Sequence, residues 1–91
     1  MSDIKSMCKE VADRYGYPAQ SNQLVEECAE LIQAINKYRR YGNTDALDNY
    51  IEEIADVEVM LEQIKYLIGI TEDQLNEVKL YKLRRTLGKG E

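Results

Sequence analysis

The chain has 91 residues, a net charge of −5 and no histidine, which leaves room for one domain, expected to occupy residues 1–91. Binding a nucleic-acid backbone requires clustered Lys and Arg, so the acidic balance argues against a nucleic-acid polymer as partner. The composition favours helix almost throughout, with a single Pro, and the expected fold class is all-α. A chain this short buries only about 60 to 65% of its unfolded surface, so a four-helix bundle completed by dimerisation is expected. Cys8 and Cys28 form no Cys-x-x-Cys pair and read as buried small apolar residues of a reducing compartment. No signal peptide and no apolar run of about 18 residues is visible, so the protein is expected to be cytoplasmic and to have no membrane partner.

Four helices are expected from caps and breakers. The first runs from about Asp3 to Tyr15, with Ser2 as the candidate N-cap and Gly16 as the stop. Tyr17-Pro18 then predicts an extended step, and the second helix is expected from Ser21 or Asn22 to Tyr41, ended by Gly42-Asn43. Its core stripe reads Leu24, Cys28, Leu31, Ile35 and Tyr38, flanked by Gln23, Glu27, Glu30, Ala34, Lys37 and Tyr41. The third helix is expected from a Thr44 cap to Ile68, with Gly69 as breaker. Its core stripe reads Leu47, Ile51, Ile54, Leu61, Ile64 and Ile68, flanked by Asn49, Glu53, Asp56, Met60, Gln63 and Leu67. A capping box, Thr71-Glu72-Asp73-Gln74, opens the fourth helix, which extends to about Leu87 and carries most of the basic charge of the C-terminal segment.

Two acidic phrases stand out: Glu26-Glu27-Cys28-Ala29-Glu30 and Glu53-Ile54-Ala55-Asp56, separated by the 22 residues 31–52. Positions i and i+3 of a helix are neighbours, so each phrase places two carboxylates side by side. Acids on helices usually form solvated salt bridges, as Glu10 can with Arg14 and Glu62 with Lys65. None of Glu26, Glu27, Glu30, Glu53 and Asp56 has a basic residue three or four positions away. Their neighbours on the helix are one another, an arrangement that costs a few tenths of a kcal/mol per pair unless a cation lies between them. Oxygen-only ligation suits Mg²⁺ or Mn²⁺, which take substrate phosphates as further ligands.

Without histidine, catalytic triads, His-rich zinc sites and the Glu-x-x-His di-iron pattern are excluded, and no Gly-rich phosphate loop is present. Carboxylates, a few Lys and Arg, and tyrosines remain as machinery. A carboxylate-held divalent ion supports hydrolysis of a phosphoanhydride, and a free carboxylate can accept the water's proton. Lys37, Lys79, Lys82 and Arg85 are the candidates for holding phosphate, against the plainer reading of a solvated basic C-terminus. Tyr38, Tyr41 and Tyr50 could stack on a base, although in a chain without Phe or Trp tyrosines also serve as core and interface aromatics.

The run Leu24-Val25-Glu26-Glu27-Cys28-Ala29-Glu30-Leu31-Ile32, followed by Glu52-Glu53-Ile54-Ala55-Asp56-Val57, resembles the MazG-like all-α nucleoside triphosphate pyrophosphohydrolases. Their signature is Glu-x-x-Glu, a gap, then Glu-x-x-Asp, and the resemblance spans about residues 20 to 87. It implies Mg²⁺-dependent cleavage between the α and β phosphates of a nucleotide substrate, in a dimer or tetramer. By position it makes Glu27, Glu30, Glu53 and Asp56 metal ligands, and gives Glu26 a further ion or the attacking water. The expectation is therefore a homodimeric, Mg²⁺-dependent nucleotide pyrophosphohydrolase. A phosphoribosyl-ATP pyrophosphohydrolase-like enzyme and a non-catalytic helical regulatory or interaction module are the alternatives.

Overall fold

The structure is a computed structural model that describes residues 3–89. Among these residues there is no strand, and three helices follow in order: α1 (Ile4–Tyr41), α2 (Thr44–Ile68) and α3 (Glu72–Thr86). The all-α expectation holds. The expected first and second helices are two arms of α1, which breaks at Gly16, where φ 81° and ψ 168° are non-helical and accessible to glycine alone at low cost. The second arm begins directly after this break, earlier than Ser21. Pro18 fits there because its missing N–H falls in a first turn, where no intrahelical acceptor is due.

Caps explain the remaining boundaries. The Asp3 side chain accepts from the Ser6 N–H and caps α1, while Ser2, the expected cap, lies outside the described residues. Gly42 closes α1 in the left-handed region, so Asn43, and not Thr44, caps α2 by accepting from Ala46 N–H. Gly69 ends α2, and the Thr71–Gln74 capping box opens α3 as expected.

The long arm of α1 runs antiparallel to α2. Gln20 meets Gln63 near one end and Tyr38 stacks at a tilt on Tyr50 near the other, their ring centroids 5.6 Å apart. The buried side chains are mostly small or polar: Cys8 and Ala12 on the first arm of α1, Gln20 and Ala34 on the long arm, and Ala46, Met60 and Gln63 on α2. This corrects the expected core. On α2 the residues turned to α1 are Ala46 and, from the flanking stripe, Asn49, Glu53, Met60 and Gln63, whereas Leu47, Ile51, Ile54, Leu61 and Ile68 of the expected core stay exposed. Small side chains let two helices approach closely, so the contact forms along the stripe that holds them. Cys28, expected inside, is likewise exposed, and only Cys8 is buried.

The backbone of α3 packs on neither α1 nor α2. Its first turn is tied down by Lys65, whose Nζ reaches Glu72 at 2.7 Å and Glu62 at 3.2 Å. A bundle that includes α3 therefore does not form within one chain. No helix of the described residues is long and apolar enough to cross a membrane.

Candidate metal centre

The α1–α2 contact stripe carries the two acidic phrases into the seam between the helices. Glu27 from α1 and Glu53 from α2 are half-buried, and Glu30, one turn beyond Glu27, opens to solvent. One carboxylate oxygen from each of the three lies within 4.8 Å of the others. Ligands around an octahedral Mg²⁺ at about 2.1 Å stand about 3 to 4 Å apart, so small side-chain rotations bring this triangle into range. The Oε1 atoms of Glu27 and Glu53 are buried and accept no hydrogen bond. Two carboxylate oxygens turned from water without a partner are costly on their own, and a cation between them removes that cost. With carboxylates as the donor set, the chemistry fits a hard divalent ion.

Electrostatics point the same way. Among the described residues no Lys or Arg pairs with Glu26, Glu27, Glu30, Glu53 or Asp56, whereas the expected pairs Glu10–Arg14 and Glu62–Lys65 are both formed. Loss of solvation raises the pKa of Glu53, and the charges of Glu30, Asp56, Glu27 and Glu52 raise it further. Every charge named here that acts on Glu53 is negative.

Asp56 follows Glu53 by one turn and adds its charge there, but its carboxylate is not part of the triangle. Glu26 is exposed at the rim. Gln23, overlooked as a site residue in the sequence, donates from Nε2 to Glu27 Oε2 at 2.8 Å and fixes the direction of that carboxylate. Its position four residues before Glu27, on the same stripe, was the available signal.

The cationic candidates divide. Lys37 shares a groove with Tyr41, Asn43, Asp45, Ala46 and Asn49. It stands seven residues beyond Glu30 on the same stripe, about 10 Å along the axis. Lys79, Lys82 and Arg85 lie on α3, which begins beyond the far end of α2, and within one chain they are not gathered at the carboxylates. Arg85 instead sits over the ring of Tyr81, 5.6 Å from its centroid. Of the tyrosines, Tyr38 and Tyr50 pack on each other, and Tyr41 faces the Lys37 groove.

No family model matches the chain, and neither a curated protein nor a solved structure matches it.

Proposed function

We propose that the chain is a Mg²⁺-dependent nucleotide pyrophosphohydrolase of the MazG-like kind, cleaving the α–β phosphoanhydride of an NTP or dNTP to monophosphate and pyrophosphate. The observation that carries this reading is the convergence of Glu27, Glu30 and Glu53, with two buried unpartnered oxygens and no basic partner. The order Glu27-x-x-Glu30 and Glu53-x-x-Asp56 supports it.

In this reading Glu27, Glu30, Glu53 and Asp56 would hold the ion. Mn²⁺ could replace Mg²⁺. The bound ion supplies charge for the phosphate oxygens and acidity for a water. Gln23 keeps Glu27 aimed into the seam. Glu26, exposed beside Glu27, accepts the proton of the attacking water. The water's oxygen bonds to the α-phosphorus as the bond from that phosphorus to the bridging oxygen breaks, and pyrophosphate leaves with the bridging oxygen. Lys37, seven residues beyond Glu30 on the same stripe, holds phosphate charge, and Tyr41 lies beside it in one groove for the sugar or base. Lys79, Lys82 and Arg85 can serve phosphate only if α3 reaches a site from elsewhere, as in an assembly of two or four copies.

The test is pyrophosphate release from a panel of NTPs, dNTPs and phosphoribosyl-ATP with Mg²⁺ or Mn²⁺. Release that requires the metal and disappears in Glu53→Gln supports the proposal. Folded protein that releases none from any substrate contradicts it and favours a binding module.

A further inference from the structure

The face that carries the acids does not end with them. Seven residues fall about 20° short of two helical turns, so Glu30 and Lys37 share a face of α1, as Asn49 and Asp56 share one of α2. Eleven residues run about 20° past three turns, which adds Asp45 to the α2 row. Lys37, Tyr41, Asn43, Asp45, Ala46 and Asn49 line a groove of about 260 Å³. Its floor is closed by Ala46, and Ala34, between Glu30 and Lys37, is buried as well. The groove therefore continues the acidic face of the α1–α2 pair towards the turn at Gly42.

Its chemistry changes with distance from the acids. A helix rises about 1.5 Å per residue, so Asn49 stands about 6 Å from Glu53 along α2 and Asp45 about 12 Å. The inner end holds Lys37 and Asn49, a cation and a half-buried carboxamide. The outer end holds the exposed ring of Tyr41, the Asn43 amide and the Asp45 carboxylate. Asn43 Oδ1 already accepts from the Ala46 N–H, which leaves Nδ2 to donate outward. Among the described residues neither Lys37 nor Asp45 is in an ion pair. An ionised carboxylate only accepts hydrogen bonds, so Asp45 repels phosphate and suits a group that donates. At about 260 Å³, below the roughly 300 to 1,000 Å³ of a whole ligand site, the groove has room for one part of a nucleotide.

We infer that the outer end of this groove reads the base of the nucleotide, and that Asp45 selects a base with paired N–H donors on its edge, a guanine. The inference rests on the nucleotide reading of the carboxylates. With the α-phosphate at the ion, the sugar comes next and falls beside Asn49, and the base lies one ring farther out, beside Asp45. Lys37 stays on the phosphate side. Tyr41, 62% exposed, offers a ring face on which any base stacks, so it adds affinity without choosing. Choice comes from Asp45. Its two oxygens match two adjacent N–H donors, which guanine alone among the common bases presents, at N1 and the 2-amino group. Uracil has a single N–H between two carbonyls, whose oxygens meet the carboxylate with charge of the same sign.

Calorimetric titration of the full chain with Mg²⁺ and α,β-methylene GTP, α,β-methylene UTP or methylenediphosphonate, which has neither sugar nor base, tests it. The expected result is binding of the guanine nucleotide at least about tenfold tighter than of the other two. Asp45→Asn should remove most of the preference for guanine over uracil while moving the methylenediphosphonate affinity less than about twofold, since one acceptor becomes a donor and no phosphate contact is lost. Asp45 is exposed and is not the cap of α2, so this variant keeps the fold. Tyr41→Ala should weaken both nucleotides by a similar factor. Equal affinities for the guanine and uracil nucleotides, or a preference that survives Asp45→Asn, would overturn the inference. Guanine-selective binding without pyrophosphate release from GTP contradicts the enzyme alone, and release from GTP and UTP at equal kcat/KM contradicts this inference alone.

Discussion

Two polar contacts in one helix seam meet opposite fates. Gln20 and Gln63 are buried where α1 crosses the second half of α2, and Gln20 Nε2 donates to Gln63 Oε1 at 2.8 Å, while Gln63 Nε2 turns to the Met60 sulfur. Seven residues further along α1, Glu27 and Glu53 turn their Oε1 atoms into the same seam and find no donor. The glutamine pair is neutral and closes on itself, as buried polar groups ordinarily do. The glutamate pair turns two oxygens inward without a donor and is flanked by a further acid, Glu30. The first contact is architecture, and the second is where we propose a site.

This contrast yields predictions. Glu53→Gln should reduce Mg²⁺-dependent pyrophosphate release at least about 100-fold while leaving the far-ultraviolet circular dichroism unchanged, because a ligand is lost but not the fold. Near-parental turnover would show that the carboxylates are not the chemical centre.

Gln63→Leu acts on the other contact. It strands the Gln20 amide beside an apolar side chain and should cost about 1 to 3 kcal/mol in denaturant unfolding, equally with and without Mg²⁺. Adding Gln20→Leu should restore part of that loss, since both polar groups are then gone. A smaller effect follows from Gln23→Ala, which frees the Glu27 carboxylate and should weaken Mg²⁺ affinity about 10-fold by calorimetric titration, with stability in EDTA nearly unchanged.

The pH dependence is the subtlest effect. The pKa of Glu53 is raised in the folded state, first by lost solvation and then by its acidic neighbours. A raised carboxylate favours folding when protonated, so its contribution is lost as pH rises through the folded pKa. In EDTA the Tm should therefore climb modestly as pH falls from about 7 towards the ordinary glutamate range, and less so in Glu53→Gln. Saturating Mg²⁺ should flatten or reverse the slope.

Much of this was legible in the sequence, because caps, breakers and carboxylate spacing are local properties. Gly16, Gly42, Gly69 and the Thr71–Gln74 box mark the breaks and ends of the helices, and the absence of basic residues three or four positions from Glu27 and Glu53 is visible from spacing alone. What the sequence left open is rotational. On α2 two stripes about 100° apart compete for α1, and hydrophobicity favours Leu47, Ile54 and Leu61. The small residues Ala34 and Ala46 decide for the neighbouring stripe and place Glu53 inside the seam. The independence of α3 was hidden for a related reason: apolar residues such as Val78, Leu83 and Leu87 promise a contact without saying whether it lies within the chain.

The most direct test is the thermal melt of the parent chain and of the Glu27→Gln/Glu53→Gln double variant, each with and without Mg²⁺ and a non-hydrolysable nucleotide. The account predicts a clear rise in Tm with ligand for the parent and none for the double variant, whose ligand-free form melts higher than the parent's because the facing charges are gone. An equal ligand-induced rise in both proteins, or none in the parent, would contradict it.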